Sequence, residues 1–322
     1  MKVDKETFFK LQARIPDISF HQSLEWHDTA FKTVSDSLVY YVNTLDDPRI
    51  CCFGYLAKRR FIGNVLDIQG VSRKEDVNST ELRTFFKSIV EEGYDVITIS
   101  DVKEYSAEFE VGIRRSGFIH PLGLSLCPMS MVVDLTKPFT FHRKWRSHVR
   151  DSEKAGNVFY PVENPTLEDA TEFVRMFQEL KERKSLGYNC NAEDVFQLVS
   201  GNYKLFFMKN SEGKNVAGRL EYTCGKLVYD IYAANTYESL KSGAIYHLQE
   251  AILNYLREHK YTEFDYGRIP PCDGKMDDIY IAKSYSGGRP VGYNGQWEYS
   301  KSRINRYVLS AYSFLLHKSN MF

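Results

Sequence analysis

An order of strand and helix signals runs through the first half of this chain and recurs in the second, and this recurrence limits the possible folds more than any other feature. In the first half, Ser37–Leu45 and Arg49–Lys58 read as strands paired across a turn containing Asp46-Asp47-Pro48, with Phe61–Val71 as a third. Ser79-Thr80-Glu81-Leu82 opens a helix that reaches about Glu92 and stops at Gly93. The β-branched run Tyr94–Ser100 is a strand, Ala107–Ser116 a helix stopped by Gly117, and Leu124–Leu135 a further strand. In the second half a helix over His142–Lys154 precedes a strand at Val158–Val162. Thr166 caps a long helix from about Leu167 to Lys184, and Ala192–Val199 forms a shorter one. Lys204–Lys209, Val216–Thr223 and Lys226–Ala234 make a meander whose turns carry Ser211-Glu212-Gly213 and Cys224-Gly225. A helix over Gly243–Glu258 and a strand over Glu263–Tyr266 follow.

Each half thus reads as helices, an antiparallel meander, then helix and strand, a repeat of element order and not of residues. With 322 residues the chain exceeds the usual size of one hydrophobic core. The hairpins argue for mixed sheets against a doubly wound parallel one. The expected fold is therefore α+β, in two domains, 1–138 and 139–322, each with a mixed, largely antiparallel sheet. The boundary is placed near Thr136–Thr140, where Lys137-Pro138 interrupts the pattern. Arg303–Leu316 is amphipathic and is expected to be a helix that can return to the first domain.

Charge and composition narrow the function. Lys+Arg and Asp+Glu are both 42, so no global field draws in nucleic acid or an anionic membrane, and any anionic substrate requires a local basic cluster. The opening residues, MKVDKETFFKLQARIPD, are charged throughout and do not read as a signal peptide. The longest apolar runs, such as Tyr203–Met208, are too short to span a bilayer, so no transmembrane segment and a cytoplasmic location are expected. Six scattered cysteines, Cys51, Cys52, Cys127, Cys190, Cys224 and Cys272, form no C-x-x-C pair, which suggests neither a zinc site nor a disulfide framework.

Three segments carry chemistry. On a helix over residues 142–154, Arg143, Arg146, Arg150 and Lys154 fall on one stripe, with Trp145 and Val149 opposite. Such a stripe suits a phosphate-rich ligand, since Arg binds phosphate bidentately, and it equally suits a solvated helix face partly neutralised by Asp151 and Glu153. Second, Ser242-Gly243-Ala244 lies at a helix start, where backbone N–H groups can hold a pyrophosphate; a lone glycine there also serves as a cap or a close-packing position. Third, a strand ending in Asp265-Tyr266-Gly267 leads into a polar loop and a short helix carrying Lys283. A lysine so placed can steady an oxyanion or neutralise phosphate; most lysines near helix ends are simply solvated.

At this third segment the sequence resembles the Fem family of peptidoglycan bridge-forming ligases. Phe264-Asp265-Tyr266-Gly267-Arg268-Ile269 followed by Ile279-Tyr280-Ile281-Ala282-Lys283-Ser284-Tyr285-Ser286-Gly287 is similar to the family's Tyr-Asp-x-Gly-Gly-Ile, loop, Leu-Tyr-x-Phe-Lys-x-x-Phe-Gly run. Upstream, Tyr229–Asn235 resembles a Tyr-x-Tyr-Ala-Gly/Ala strand, Glu182–Tyr188 a helix-end Glu-Arg-x-Gly segment, and Trp145–Gly156 an Arg/Lys-rich opening to the second domain. In the first half Phe20–Trp26 looks like the Gln-x-x-x-Trp start, with Lys32 shortly after. Arg268 departs from the family's second glycine, and the helical arm of some members is missing.

The resemblance implies two tandem GNAT-like (acyl-CoA N-acyltransferase) domains and an aminoacyltransferase that forms an amide bond on an amine of a peptidoglycan precursor. It implies Lys283 as the oxyanion stabiliser and Tyr232 as a polar group near the reacting amine. Arg183 and Lys32 are implied as phosphate contacts; Arg143, Arg146 and Arg150 are candidates for the same role from the helical stripe, and the Asp265–Ile269 loop, with Asp265 and Gly267, is expected to form the wall of the cleft. The donor is expected to be aminoacyl-tRNA or acyl-CoA, and the acceptor a nucleotide-linked or lipid-linked muropeptide, with no tightly bound cofactor and no metal. Two other readings stand beside this one: an acyl-CoA-dependent N-acyltransferase, and a non-catalytic binding member of the fold, for which a side chain at Arg268 blocking the cleft is the best support.

Overall fold

The computed structural model describes residues 1–121, 129–269, 277–308 and 311. Along the chain it contains β1 (Lys2–Val3), α1 (Lys5–Gln12), α2 (Leu24–Ala30), β2 (Leu38–Val42), β3 (Ile50–Arg59), β4 (Gly63–Gln69), β5 (Ser72–Arg73), α3 (Ser79–Glu91), β6 (Val96–Glu104) and α4 (Ala107–Arg115). Then come β7 (Met129–Asp134), α5 (Arg143–Lys154), β8 (Val158–Pro161), α6 (Leu167–Lys184), α7 (Ala192–Val199), β9 (Tyr203–Lys209), β10 (Asn215–Cys224) and β11 (Leu227–Asn235). The last elements are α8 (Tyr237–Ser242), α9 (Ala244–Glu258), β12 (Glu263–Arg268), α10 (Asp277–Ser284) and β13 (Arg289–Ser300). The cap of α3 is Asn78, one residue before the expected start; its side chain takes the N–H groups of Thr80 and Glu81 while Glu81 reaches back, a reciprocal capping box. Residues 303–308 are helical, and the rest of the expected C-terminal helix, like the start of the strand expected from Leu124, falls largely outside the described residues.

The chain divides into two compact units. The first comprises the described residues of Met1–Ser130, Arg268–Asp277 and Val291–Phe322; the second comprises those of Met131–Gly267 and Asp278–Pro290. In the first, the sheet order is β1-β2-β3-β4-β6-β13 with β5 beside β3. All of these neighbours are antiparallel except β4 and β6, which run parallel. In the second, the order is β7-β12-β11-β10-β9-β8, with β11 and β12 parallel and the meander β8 to β11 antiparallel. The expected α+β class with mixed, largely antiparallel sheets is what the chain adopts.

The repeat is closer than the sequence suggested. Apart from β5 in the first unit and α8 in the second, β1-α1-α2-β2-β3-β4-α3-β6 corresponds in order to β8-α6-α7-β9-β10-β11-α9-β12. In both, the step into the parallel strand is made through a helix, as a parallel connection requires. After each repeat comes a helix and one more strand, and here the simple cut at 138/139 needs correction. β13 pairs with β6 over Tyr293–Ser300, so a strand from the end of the chain completes the first sheet. Its burial of Val291, Tyr293 and Trp297 supplies the apolar surface that holds it there.

Each sheet is covered on both faces. In the first unit Leu82, Phe85, Phe86 and Ile89 of α3 and Phe109 and Ile113 of α4 pack with Leu66, Ile68, Ile97, Ile99 and Trp297, while Phe8 and Leu11 of α1 pack with Tyr40, Val42, Cys51 and Phe53. In the second, α6 buries Ala170, Phe173, Met176, Phe177 and Leu180, and α9 buries Leu248, Ile252, Leu253 and Leu256.

Candidate active site

In the second unit, β11 and β12 pair only from Leu227/Glu263 to Tyr229/Asp265, although β11 continues to Asn235 and β12 to Arg268. The carboxyl ends of two parallel strands therefore part. The carboxyl ends of strands are the usual position of ligands in sheets with parallel strands. Lys283 projects into this parting: its Nζ donates to the Tyr266 carbonyl at 2.6 Å. Gly267 N–H donates to Asp265 Oδ1 at 2.8 Å, which turns the chain out of β12. Gly267 has φ +71°, and a Cβ there would lie 3.2 Å from the Asp230 carbonyl oxygen, so conformation and space both call for glycine.

Around Lys283 lies a buried set of charged groups. Arg219 Nη1 and Asp230 Oδ2 are 2.7 Å apart, and Asp265 and Glu221 are buried. Burial pulls the Lys283 ammonium below the ordinary lysine value, Asp230 opposes that shift, and Arg219 adds to it. Glu221 has no exposed surface, and burial, then the charge of Asp230, pushes its carboxyl well above the usual range. Neither of its oxygens has a hydrogen-bond partner.

Tyr232 belongs to a neighbouring group. A bulge shifts the β10–β11 register, so Glu221 faces Asp230 while Leu220 faces Tyr232. One extra residue turns Tyr232 to the sheet face opposite Asp230. There its ring stands 6.1 Å from Phe177 of α6 and 6.2 Å from Tyr188. Burial, followed by the proximity of Cys190 and Tyr188, pushes its phenol up to about 12, so it keeps its proton as a donor at neutral pH. Arg183, at the end of the same helix, donates to Asn235 at the end of β11. Asp230 is felt on both faces: it influences Lys283 and, after burial, raises the Tyr188 phenol. Arg219, Glu221, Asp230 and Tyr188 were not expected at the site. A charged residue at every second position of a strand, as in Arg219-x-Glu221, was the signal available in the sequence.

The basic stripe on α5 is exposed at Arg143, Arg146, Arg150 and Lys154, while Trp145 and Val149 are buried and Trp145 Nε1 donates to Glu250 at 3.0 Å. Gly243 lies between α8 and α9 with φ +74°, and a Cβ there would be 2.3 Å from the His148 carbonyl oxygen. Close packing onto α5 accounts for this glycine. A cavity of about 140 Å³, lined by Glu163, Lys204 and Tyr255 among others, holds none of the expected site residues.

In the first unit Lys32 is exposed just beyond α2. The preceding run has a structural explanation. Gln22 Nε2 donates to the carbonyls of Phe53 and Gln69 at 3.0 and 2.8 Å, its Oε1 accepts from Phe53 N–H at 2.6 Å, and Ser23 caps α2. Arg268 is exposed and, with Ser100, Asp101 and Tyr293, lines a shallow cleft of this unit. His21 is buried; burial, then the nearby charge of Arg268, lowers its pKa to about 3. Its folded value thus lies below the 6.5 of the unfolded chain. Stability is full above pH 6.5 and falls as pH drops towards 3, because only the unfolded chain binds the proton in that window. The wild type is expected to lose about 2 kcal/mol against His21→Gln between neutrality and about pH 5. Unfolding midpoints of both proteins across this range check it; a constant difference would refute it.

No protein-family model matches the sequence, and no curated protein matches it. Solved structures do. The crystal structure of FemX is similar at 16% identity with a TM-score of 0.74, covering 98% of each chain. L-PGS from Bacillus licheniformis is similar at 17% identity and TM-score 0.64, over 96% of this chain and 97% of that one. A tandem GNAT protein from the clavulanic acid biosynthesis pathway is similar at 9% and 0.51, over 94% and 98%. At such identities the likeness is one of fold, and it agrees with the repeated order of elements: the chain shares its fold with FemX and with the tandem GNAT protein.

Proposed function

We propose that the chain is a Fem-type acyltransferase that joins an activated amino acid to an amine of a peptidoglycan precursor. The observation that carries this reading is the Lys283 ammonium held on the Tyr266 carbonyl where β11 and β12 part. The acceptor amine attacks the carbonyl carbon of the donor ester and a C–N bond forms. The carbonyl electron pair moves to oxygen, where the ammonium opposes the growing negative charge. Collapse breaks the C–O bond, and the leaving hydroxyl carries away the proton that the amine gives up. Holding donor and acceptor together supplies much of the remaining rate. Tyr232 and Arg183 serve the acceptor side, Asp265 and Gly267 form the wall, and Arg143, Arg146, Arg150 and Lys32 are assigned to phosphates of the ligands. Aminoacyl-tRNA is the proposed donor and the cytoplasm the proposed place of action.

The test is a screen of aminoacyl-tRNAs and acyl-CoAs as donors, against nucleotide-linked muropeptides, lipid-linked muropeptides and free amines. Amide formation from aminoacyl-tRNA supports the reading. Turnover with acyl-CoA alone replaces it with N-acyltransfer, and calorimetric binding of coenzyme A separates the two donors directly. Ligand binding without turnover in any combination returns the chain to a binding role.

A further inference from the structure

Glu221 is the buried charged residue least explained by packing. It has no exposed surface, its two carboxyl oxygens accept no hydrogen bond, and it lies directly across the β10–β11 ladder from Asp230. Across the other ladder stands Lys204, which makes no bond to it. α9 packs against β10 and buries Gln249, whose amide atoms are also without partners. The other groups around it are Arg219 on its own strand, Tyr266 on β12 and Lys283 on α10. The nearby cations are committed elsewhere, Arg219 to Asp230 and Lys283 to the Tyr266 carbonyl.

We propose that Glu221 is a positioning residue for Lys283: it fills its place beside Arg219 and Asp230 as an uncharged carboxylic acid, and so leaves the lysine ammonium on the Tyr266 carbonyl at the mouth of the parted strands. The geometry supports this. Arg219 is held by Asp230, Lys283 by the Tyr266 carbonyl, and Lys204 makes no bond to Glu221, so an ionised carboxylate would stand buried with no hydrogen bond and no direct ion pair, which a buried carboxyl avoids by keeping its proton. An ionised Glu221 would instead draw Lys283 inward, away from the site where an oxyanion forms.

The inference rests on the transfer reaction proposed above, but its test needs no substrate. Two measurements compare the wild type with Glu221→Gln. The first is the thermal midpoint from about pH 5 to 9. The folded carboxyl holds its proton above the unfolded value of 4.5, so the stability it contributes is full below that value and is lost as pH rises towards the folded one. The midpoint of the wild type should fall progressively below that of Glu221→Gln with rising pH. A constant difference means an ionised carboxylate in the folded chain and overturns the proposal. The second is the titration of the Lys283 amine, followed by trace acetylation with acetic anhydride and peptide mass spectrometry. Neutral Glu221 and Gln place no charge beside the ammonium, so the lysine midpoint should be the same in the two proteins to within about 0.3 of a pH unit. A midpoint higher by about one pH unit or more in the wild type means an ionised carboxylate beside the lysine and overturns the proposal even if the first result holds. Neither result depends on which donor is used, whereas a failed substrate screen bears on the reaction alone.

Discussion

Replacing Lys283 with Met is expected to lower kcat by roughly two to three orders of magnitude, the usual effect of losing one oxyanion-stabilising donor. Met keeps the approximate length and apolar stem, and the bond lost is to a backbone carbonyl at the open end of two strands. The charge acts mainly in the transition state, so KM should move much less than kcat. Kinetics of the best donor–acceptor pair, together with a thermal melt of the same preparation, provide the measurement. A lysine with a purely structural role would give the opposite pattern: a lower melting temperature with near-normal turnover by the protein that stays folded. That pattern would remove Lys283 from the proposed mechanism.

The second large effect concerns stability. Arg219 and Asp230 form a pair in which the side chains are only 21% and 7% exposed. Arg219→Met strands Asp230 beside Glu221 with its direct partner gone, and removal of one member of a buried pair costs about 3–5 kcal/mol. The double variant Arg219→Met/Asp230→Asn, which leaves no uncompensated charge at the pair, should recover much of that loss. Denaturant unfolding of the full chain measures both. A loss below about 1 kcal/mol in the single variant would place the pair among exposed ion pairs, and the buried cluster would then contribute little to the fold.

Local order was legible where neighbouring residues decide it. Thr166 with Asp169 caps α6 through a reciprocal box, and the hairpin turns of the β9–β11 meander fall where glycine allows a positive φ, at Gly213 and Gly225. β13 was not legible. Gly287 and Gly288 just before it and Pro290, Gly292 and Gly295 within it read as a loop would, and the bulge between Tyr293 and Gly295 breaks the alternation that marks a half-buried strand. Likewise α1 and α2 are short, and the apolar surface of α1 has meaning only against Tyr40 and Phe53.

For the site, Lys283 was marked in the sequence by its short helix after a strand end, and its role, like that of Tyr232, only by the resemblance to the Fem family. Which groups surround them was decided by tertiary structure. The inserted residue in β11 sets Asp230 and Tyr232 on opposite faces, and the parting of β11 from β12 gives Lys283 a carbonyl to hold. The depth of Glu221 depends on β9, β11 and α9 closing over it at once. Burial is a sum over segments distant in the chain, so no window of sequence contains it. For the same reason the sequence determined that a strand-and-helix plan occurs twice, while only the folded chain decided that the first sheet is completed by a strand from the far end, where Trp297 finds its buried place.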